Sequence, residues 1–211
     1  MKYDIHMHTY HSKCSNLKPE TILKLAKKKK LDGIAITDHH EIKGALEVKK
    51  LNKDKDFEVV VGEEISTNYG DVLVHYLNKK INAIDFYHVV DEARKQGALI
   101  VIPHPFRTTL VHNHKFQLPL EKVKSKVDAI ECFNARTLPG DNKKANEAAE
   151  KLGIAKTGGS DSHFFFEIGT ACTIFDDDLR KAIKRKETKF EGTIMFGAFG
   201  GALSYLRKRI F

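Results

Sequence analysis

The sequence alternates short apolar runs with longer segments of helical periodicity, and this rhythm limits the folds available to it. Continuous apolar runs cover residues 33–37, 57–61, 72–77, 98–102, 129–133 and 154–157, and an alternating stretch covers residues 2–7. Helical segments cover residues 19–29, 43–53, 84–96, 121–127 and 143–152. Runs that are apolar on both faces are typical of parallel strands covered by helices. The alternation therefore predicts an α/β fold, most simply a barrel of parallel strands.

Histidines and carboxylates collect at the ends of these runs. His6 and His8 close the first stretch one residue apart, so both side chains point to the same side of a strand. The other polar side chains at run ends are those of Asp38, His39, His40, Glu63, Glu64, His75, His104, Asp161 and His163. The carboxyl ends of barrel strands meet at one mouth, so the sequence predicts that these side chains converge there.

Not every histidine supports this interpretation. The chain has eleven histidines, and any one of them could be a packed structural side chain. His112 and His114 repeat the spacing of the first pair, but no apolar run precedes them, and we expect no metal role for them. Packing alone does not explain why several separate run ends carry the same kinds of residue.

The predicted mouth holds more nitrogen and oxygen donors than the three or four that one tetrahedral zinc ion takes. Two or three divalent ions a few ångströms apart are the natural interpretation. Clustered ions of this kind clamp the attacking and leaving oxygens in displacement at phosphorus, and they generate hydroxide near neutral pH. Phosphoester hydrolysis is therefore the leading chemistry that the residues predict.

The same residues resemble the motifs of a known family. The order and spacing of the polymerase and histidinol phosphatase (PHP) domain family are found in His6-Met7-His8, Thr37-Asp38-His39, Gly62-Glu63-Glu64-Ile65-Ser66, His104-Pro105 and Gly159-Ser160-Asp161-Ser162-His163. The resemblance covers residues 1–174, and residues 175–211 resemble the small PHP-associated carboxyl-terminal region, which we expect to pack on the barrel. It implies a distorted (β/α)7 TIM-like barrel that holds two or three divalent ions and hydrolyses phosphate esters.

The resemblance also implies a set of metal ligands. By position these are His6, His8, His39, Glu64, His75, His104, Asp161 and His163, and the expected catalytic residues among them are His39, Glu64, His104 and Asp161. Glu64, in preference to Glu63, would bridge two ions. The assignment of His75 depends on a preceding loop that varies in length within the family. Asp4 and Asp38 are expected either to orient histidines by accepting a ring N–H or to be ordinary edge and turn residues.

One position departs from the family pattern. Members commonly place a further aspartate or histidine ligand in the loop after the first histidine pair, and here Cys14 occupies that position. A thiolate would favour zinc and disfavour magnesium or manganese. Alternatively, Cys14 is a partly buried thiol and the third ion is absent or weakly held; His11 could replace it, although a surface role is simpler. We expect zinc or manganese, with iron or magnesium as alternatives.

Phosphate needs cationic partners, and two arginines follow the ends of apolar runs. These are Arg107 and Arg136, whose planar guanidinium groups suit bidentate phosphate binding. Either could instead be a surface residue, and His40 and Lys43 are weaker candidates. In the mechanism implied by the resemblance, a metal-bound hydroxide attacks phosphorus in line. Either a metal-bound water or a site histidine protonates the leaving group.

Three functions remain open. The first is a phosphatase that acts on a phosphorylated small molecule or nucleotide. The second is a 5′–3′ exonuclease for short DNA or RNA, which the formal charge of +8 and basic clusters at residues 27–30, 184–186 and 207–209 favour. Such clusters are also typical of solvated helix ends, and no aromatic residues interleave with them. The third, a non-catalytic barrel scaffold, is disfavoured because the ligand set is nearly complete.

The remaining features concern the setting of the chain. No stretch approaches the roughly 20 apolar residues of a membrane span, and the first residues carry no signal-peptide pattern. The three cysteines are an odd number at wide spacing, which argues against a disulfide framework. We therefore expect a soluble cytoplasmic protein with no membrane partner. Residues 176–186 predict a helix that begins on acidic residues, and glycines then lead to a basic tail.

Overall fold

The computed structural model describes residues 1–108, 115–194 and 197–210; His112 and His114 lie outside these residues. The strands are β1 (Lys2–Asp4), β2 (Gly33–Ile36), β3 (Glu58–Thr67), β4 (Gly70–His75), β5 (Leu99–Ile102), β6 (Ala129–Asn134), β7 (Ala155–Gly159), β8 (Ala171–Ile174) and β9 (Lys189–Gly192). The helices are α1 (Pro19–Lys28), α2 (Lys43–Leu51), α3 (Phe86–Lys95), α4 (Leu120–Val123), α5 (Pro139–Leu152), α6 (Leu179–Arg185) and α7 (Gly197–Ile210).

The described strands form one nine-stranded sheet in the order β7-β6-β5-β4-β3-β2-β1-β8-β9. Strands β1 to β3 pair in parallel, as do β5 to β7. The predicted α/β barrel is confirmed, because strands β1 to β7 curl into a nearly closed ring with helices outside it. Strands β8 and β9 extend the sheet beyond β1 by antiparallel pairing.

The expectation that every barrel strand is parallel is wrong for β4, which runs antiparallel to both β3 and β5. Only Asn68 and Tyr69 separate β3 from β4. That connection suits a hairpin, whereas a parallel neighbour needs a crossover of a dozen or more residues. The reversal places His75 opposite Leu99, the first residue of β5. His75 therefore lies at the level of the amino end of β5, away from the carboxyl ends of the parallel strands.

The barrel closes through the segments that follow β1 and β7. The His8 amide donates to the Ser162 carbonyl at 2.9 Å, and the Asp161 amide donates to the His6 carbonyl at 2.7 Å. Met7 and Ser162 form a parallel bridge between the same segments. The polar run ends of two strands are therefore joined to each other by backbone hydrogen bonds.

Buried apolar side chains lie on both faces of the sheet, which explains why the strand runs are continuously apolar. On β2, Ile34 and Ile36 pack in the outer layer with the helices, whereas Ala35 belongs to the inner cluster. That inner cluster also takes Leu179 and Ile183 of α6. Helix α6 therefore fills the amino end of the barrel.

The six predicted helices are present with some ends shifted, and α7 forms from the segment that was expected only as a basic tail. Helix α5 begins at Pro139, four residues before the predicted start at residue 143. Proline suits the first turn of a helix because its missing N–H has no intrahelical partner there. Helix α6 begins after Asp178, whose side chain accepts a hydrogen bond from the amide of Lys181. In the part of the chain that the structure describes, none of the helices is long and apolar enough to cross a bilayer.

Thr173 of β8 ties β8 to β7. Its Oγ1 accepts from the Gly158 amide at 3.0 Å and donates to the Gly158 carbonyl at 2.9 Å, in a fully buried position. Thr188 is also buried, but its hydroxyl has no hydrogen-bond partner among the described residues. The two threonines are therefore a matched pair for the same substitution.

We predict that Thr173→Val lowers the free energy of unfolding by about 2–4 kcal/mol, because a buried donor and a buried acceptor lose their partner. Thr188→Val is expected to leave the free energy of unfolding within about 0.5 kcal/mol of the parent value or to raise it, since no hydrogen bond is lost. Urea unfolding at equilibrium measures both values. Equal effects of the two substitutions would contradict the prediction.

Candidate metal centre

The structure gathers most of the predicted ligands at the mouth of the barrel. They lie on or after five strands of the barrel, namely β1, β2, β3, β5 and β7. The gathered side chains are those of His6, His8, His39, Glu64, His104, Asp161 and His163. All are buried except that of His39, which is 30% exposed.

Four of these residues surround one point. The Nε2 atom of His8 lies 3.2 Å from Glu64 Oε2 and 3.4 Å from Asp161 Oδ1. The Nε2 atom of His6 lies 3.4 Å and 3.7 Å from the same two oxygens. Ligands bound about 2.1 Å from a shared tetrahedral ion lie about 3.4 Å apart, so the spacing suits one ion.

The two imidazole nitrogens at this point supply a direct test of that interpretation. The Nε2 atoms of His6 and His8 are buried and have no hydrogen-bond partner among the described residues. A buried polar atom without a partner is costly, so it normally has one. Nitrogen lone pairs that face two carboxylates fit a divalent cation.

A second group of ligands lies beside the first. His39 Nδ1 is 3.2 Å from Glu64 Oε2, and His104 Nε2 is 3.3 Å from Glu64 Oε1. His163 joins His8 and His39 in a further cluster of close ligand atoms. Its Nδ1 contacts the Asp161 carbonyl at 2.8 Å, which leaves Nε2 for a ligand. Glu64 thus touches both groups, in the position expected of a bridging carboxylate.

The two carboxylates at the centre are held in their ionised form. Burial alone would raise the pKa of Glu64, but the imidazoles of His39 and His6 hold it well below its usual range. Burial alone would also raise the pKa of Asp161. The nearby guanidinium of Arg107 opposes this effect, and the pKa of that carboxyl lies well below its usual range. The centre therefore offers anionic oxygen donors.

Glu131 of β6 is a site residue that the sequence reasoning missed. Its Oε1 lies 2.9 Å from His6 Nδ1, and its Oε2 accepts from the His104 amide at 3.0 Å and from Asn134 Nδ2 at 2.9 Å. A ring N–H donated to Glu131 leaves the Nε2 lone pair of His6 free to bind an ion. The signal in the sequence was a single charged residue inside the apolar run 129–133.

Asp71 is a second such residue. It lies on β4, and one of its oxygens falls close to ligand atoms of Glu64 and His104. The hairpin brings it there, since Asp71 pairs with Ser66 near the end of β3. No spacing in the sequence indicated this contact.

Asp38 supports the site, but by a route different from the one expected. Its carboxylate accepts from Thr9 Oγ1 at 2.7 Å and from Ser12 Oγ at 2.6 Å. Ser12 Oγ in turn lies 3.4 Å from His8 Nδ1, so the histidine is supported through a serine. Asp4 accepts backbone N–H groups, including that of Ser160 at 3.0 Å, and no ring N–H.

Two expected ligands are not brought into these groups. His75 Nε2 contacts the Ile5 carbonyl at 2.8 Å, and burial lowers the pKa of this imidazole to about 4. The reversal of β4 explains its position below the centre. Cys14 is buried but belongs to none of the ligand clusters among the described residues. Both remain predictions without support from the geometry.

The two arginines occupy different places. The Nη2 atom of Arg107 hydrogen-bonds to Asp161 and, at 2.7 Å, to Asn134 Oδ1, so this side chain adjoins the centre. Arg136 instead forms a two-pronged ion pair with Glu167, with both N···O distances at 2.8 Å. Its guanidinium is engaged in holding a loop, and the contact gives no support to phosphate binding by Arg136.

His104 and Asp161 have left-handed backbone conformations, with φ of +30° and +55°. Residues with a Cβ rarely adopt this region, and they do so at a cost of about 1 kcal/mol or more. In both residues the turn directs the side chain into the cluster just after a strand ends. Lys30, His40, Tyr76 and Lys186 also have positive φ, so the conformation positions these two ligands without singling them out.

The fold superposes on solved structures along almost its whole length. One is a two-domain protein from Bacteroides vulgatus that contains a predicted PHP-like metal-dependent phosphoesterase. Its TM-score is 0.77 at 19% identity, over 92% of this chain and 65% of that one, so this chain spans just under two thirds of that protein. Another is PsfC from Pseudomonas syringae, with a TM-score of 0.71 at 21% identity over 99% of this chain and 98% of that one.

Sequence comparison adds the deciding observation, because a family model described as PHP-associated matches residues 139–188. The chain belongs to the PHP domain family. The uncharacterized protein MJ0417 of Methanocaldococcus jannaschii is 39% identical to this PHP chain over 184 residues, which is 84% of the chain and 71% of that protein. The matched range crosses the expected boundary between residues 174 and 175, which remains a prediction.

The contacts of Glu131 predict how this PHP chain responds to its loss. Glu131→Gln keeps the shape but has one accepting oxygen, so it cannot serve both His6 Nδ1–H and the His104 amide. We expect the affinity for zinc or manganese to fall about tenfold to a hundredfold. Isothermal titration calorimetry measures it.

The matched control is Glu150→Gln, which changes an exposed ion pair with Lys156 and a hydrogen bond from Asn146. The control is expected to bind metal as the parent does. If Glu131→Gln also binds like the parent, Glu131 does not orient the ligands.

Proposed function

We propose that this PHP chain is a metal-dependent phosphoesterase, a hydrolase that cleaves phosphate esters. The observation that carries the proposal is the pair of buried, unpartnered Nε2 atoms of His6 and His8 facing the carboxylates of Glu64 and Asp161. Such a donor set fits divalent ions and has no other evident use in the described part of the chain. The Bacteroides vulgatus protein with the same fold is predicted to be a phosphoesterase of this kind.

The residues present suit two ions. His6, His8, Glu64 and Asp161 would hold one. Further ligands cluster as His39 and His163 beside His8, and as His104 and Asp71 beside Glu64, and either cluster would hold the second. Imidazole and carboxylate donors suit zinc, manganese and iron, in agreement with the ions expected from the sequence. Bound there, divalent ions supply activation of water and neutralise charge that develops on phosphorus.

Arg107 has a role in this proposal as a neighbour of the reacting group. Its guanidinium holds Asp161 in place, and its side chain is 14% exposed, so it lies at the boundary between the buried centre and the mouth. A planar cation in that position can contact a phosphate oxygen while it keeps Asp161 ionised. We therefore propose Arg107 as the phosphate-binding residue, whereas the ion pair of Arg136 with Glu167 gives that role no support.

The depth of the centre favours one class of substrate. The central ligands are nearly fully buried, whereas His39, Arg107 and Asp71 are partly exposed. A terminal phosphate group can reach such a recessed point more readily than the phosphodiester bond that joins the first nucleotide to the rest of a strand. We therefore propose a phosphomonoester of a small molecule or nucleotide as the substrate, and the exonuclease reading becomes an outcome of the test.

The test measures phosphate or nucleotide release by purified protein with manganese or zinc, and with a chelator as control. Sugar and amino-alcohol phosphates, nucleoside bisphosphates and short 5′-phosphorylated oligonucleotides form the panel. Turnover of small phosphomonoesters that the chelator abolishes supports the proposal. Preference for oligonucleotides would support the exonuclease, and a protein that binds no divalent ion would be a scaffold.

We predict that His8→Ala lowers hydrolysis at least about a hundredfold, because it removes a ligand itself, whereas loss of a residue behind a ligand costs about tenfold to a hundredfold. The matched control is His88→Ala, which changes an exposed histidine of α3. Initial rates at saturating metal compare the two. Equal rates for both variants would show that the assigned site is not the reactive one.

A further inference from the structure

Helix α7 presents one face to the loops that carry the site. Gly200, Ser204 and Arg207 are spaced by four and three residues, so they lie on the same side of the helix. Gly200 and Ser204 are buried, whereas the neighbouring Gly201 is exposed. We call the three residues the α7 face.

The first contact of the α7 face runs through an ion pair. Arg136 Nη1 donates to Ser204 Oγ at 3.0 Å, while Nε and Nη2 of the same guanidinium bind Glu167. Glu167 Oε2 also accepts the backbone amides of His163 at 2.9 Å and Phe164 at 3.0 Å. Glu167 therefore fixes the backbone from which the His163 imidazole projects.

A second contact is independent of the first. Arg207 Nε donates to the Ser15 carbonyl at 3.0 Å. The Oγ atom of Ser15 lies 2.9 Å from the carbonyl oxygens of both His8 and His163. The α7 face is thus connected both to the loop that follows His8 and to the loop that carries His163.

Gly200 is the position that permits this approach. A Cβ atom there would lie 1.8 Å from Glu167 Oε1 and 3.0 Å from Arg136 Nη2. Either the helix or the Glu167 carboxylate would have to move, and both movements break the same chain of contacts. A Cβ atom on Gly201 would meet nothing within 4 Å.

We propose that α7 is a positioning element of the metal centre, which holds the His163 loop in its ligating place through Ser204, Arg136 and Glu167. The inference rests on the proposed metal centre. It adds to that centre a helix that lies far along the chain from the histidine and carboxylate motifs. It assigns Arg136 a positioning role in place of phosphate binding. It also explains why a glycine-rich, basic segment packs against this PHP barrel.

The test compares Gly200→Ala with Gly201→Ala. Both add the same helix-favouring methyl group to α7, but only the first meets the Arg136–Glu167 pair. Cobalt titration followed by visible absorption and calorimetry reports ligand geometry and affinity without relying on turnover. We expect Gly200→Ala to weaken the most loosely held ion at least about tenfold and to change the cobalt spectrum, and Gly201→Ala to match the parent.

Ser204→Ala provides a milder variant in case Gly200→Ala does not fold, which circular dichroism and thermal unfolding check. It removes only the hydroxyl that accepts from Arg136, so we expect a smaller loss of affinity in the same direction. A double variant of Ser204→Ala with Arg136→Lys should lose no more affinity than the Arg136 variant alone, because both act on one contact chain.

The outcomes separate this inference from the proposed function. If the parent binds and hydrolyses as proposed but Gly200→Ala and Ser204→Ala behave like Gly201→Ala, the positioning role is overturned and the phosphoesterase stands. If the parent binds no divalent ion, both are overturned. Loss of affinity confined to the Gly200 and Ser204 variants supports the inference.

Discussion

The whole site depends on the backbone pairing between the segments that follow β1 and β7. If strands β1 to β7 formed an open sheet, His6 and His8 would lie at one of its edges while Asp161 and His163 lay at the other. The bonds between the His6 and His8 segment and the Asp161 segment bring these edges together. The closure that completes the barrel is therefore the same event that assembles the ligands, so folding and formation of the site are one process.

This arrangement concentrates buried polar groups, which is unfavourable unless each has a partner. Glu131, Asp38 through Ser12, and Arg107 provide those partners behind the ligands. Their effect is to leave the unpartnered lone pairs on the side that faces the centre. The left-handed backbone of His104 and Asp161 is a further energetic cost, and these contacts hold that backbone in place.

Patterns along the chain predicted the α/β barrel and most of the gathered ligands, because strand periodicity and the convergence of strand ends are properties of local sequence. The direction of β4 was missed, since it depends on a two-residue link rather than on the apolar pattern of the strand. That single reversal accounts for the position of His75 away from the other predicted ligands. The role of Glu131 beside His6 and the pairing of Arg136 with Glu167 depend on contacts between distant segments. Spacing in one sequence does not reveal such contacts.

Helix α6 limits the routes by which small molecules can reach the centre of the barrel. Leu179 and Ile183 fill the amino end of the barrel together with the inward side chains of the strands. With that end packed, the mouth is where molecules reach the centre and where they depart from it. Arrival and departure then share one path, so in the proposed phosphoesterase the phosphate product would leave by the path that the next substrate enters. The proposed activity would therefore be inhibited competitively by its own product.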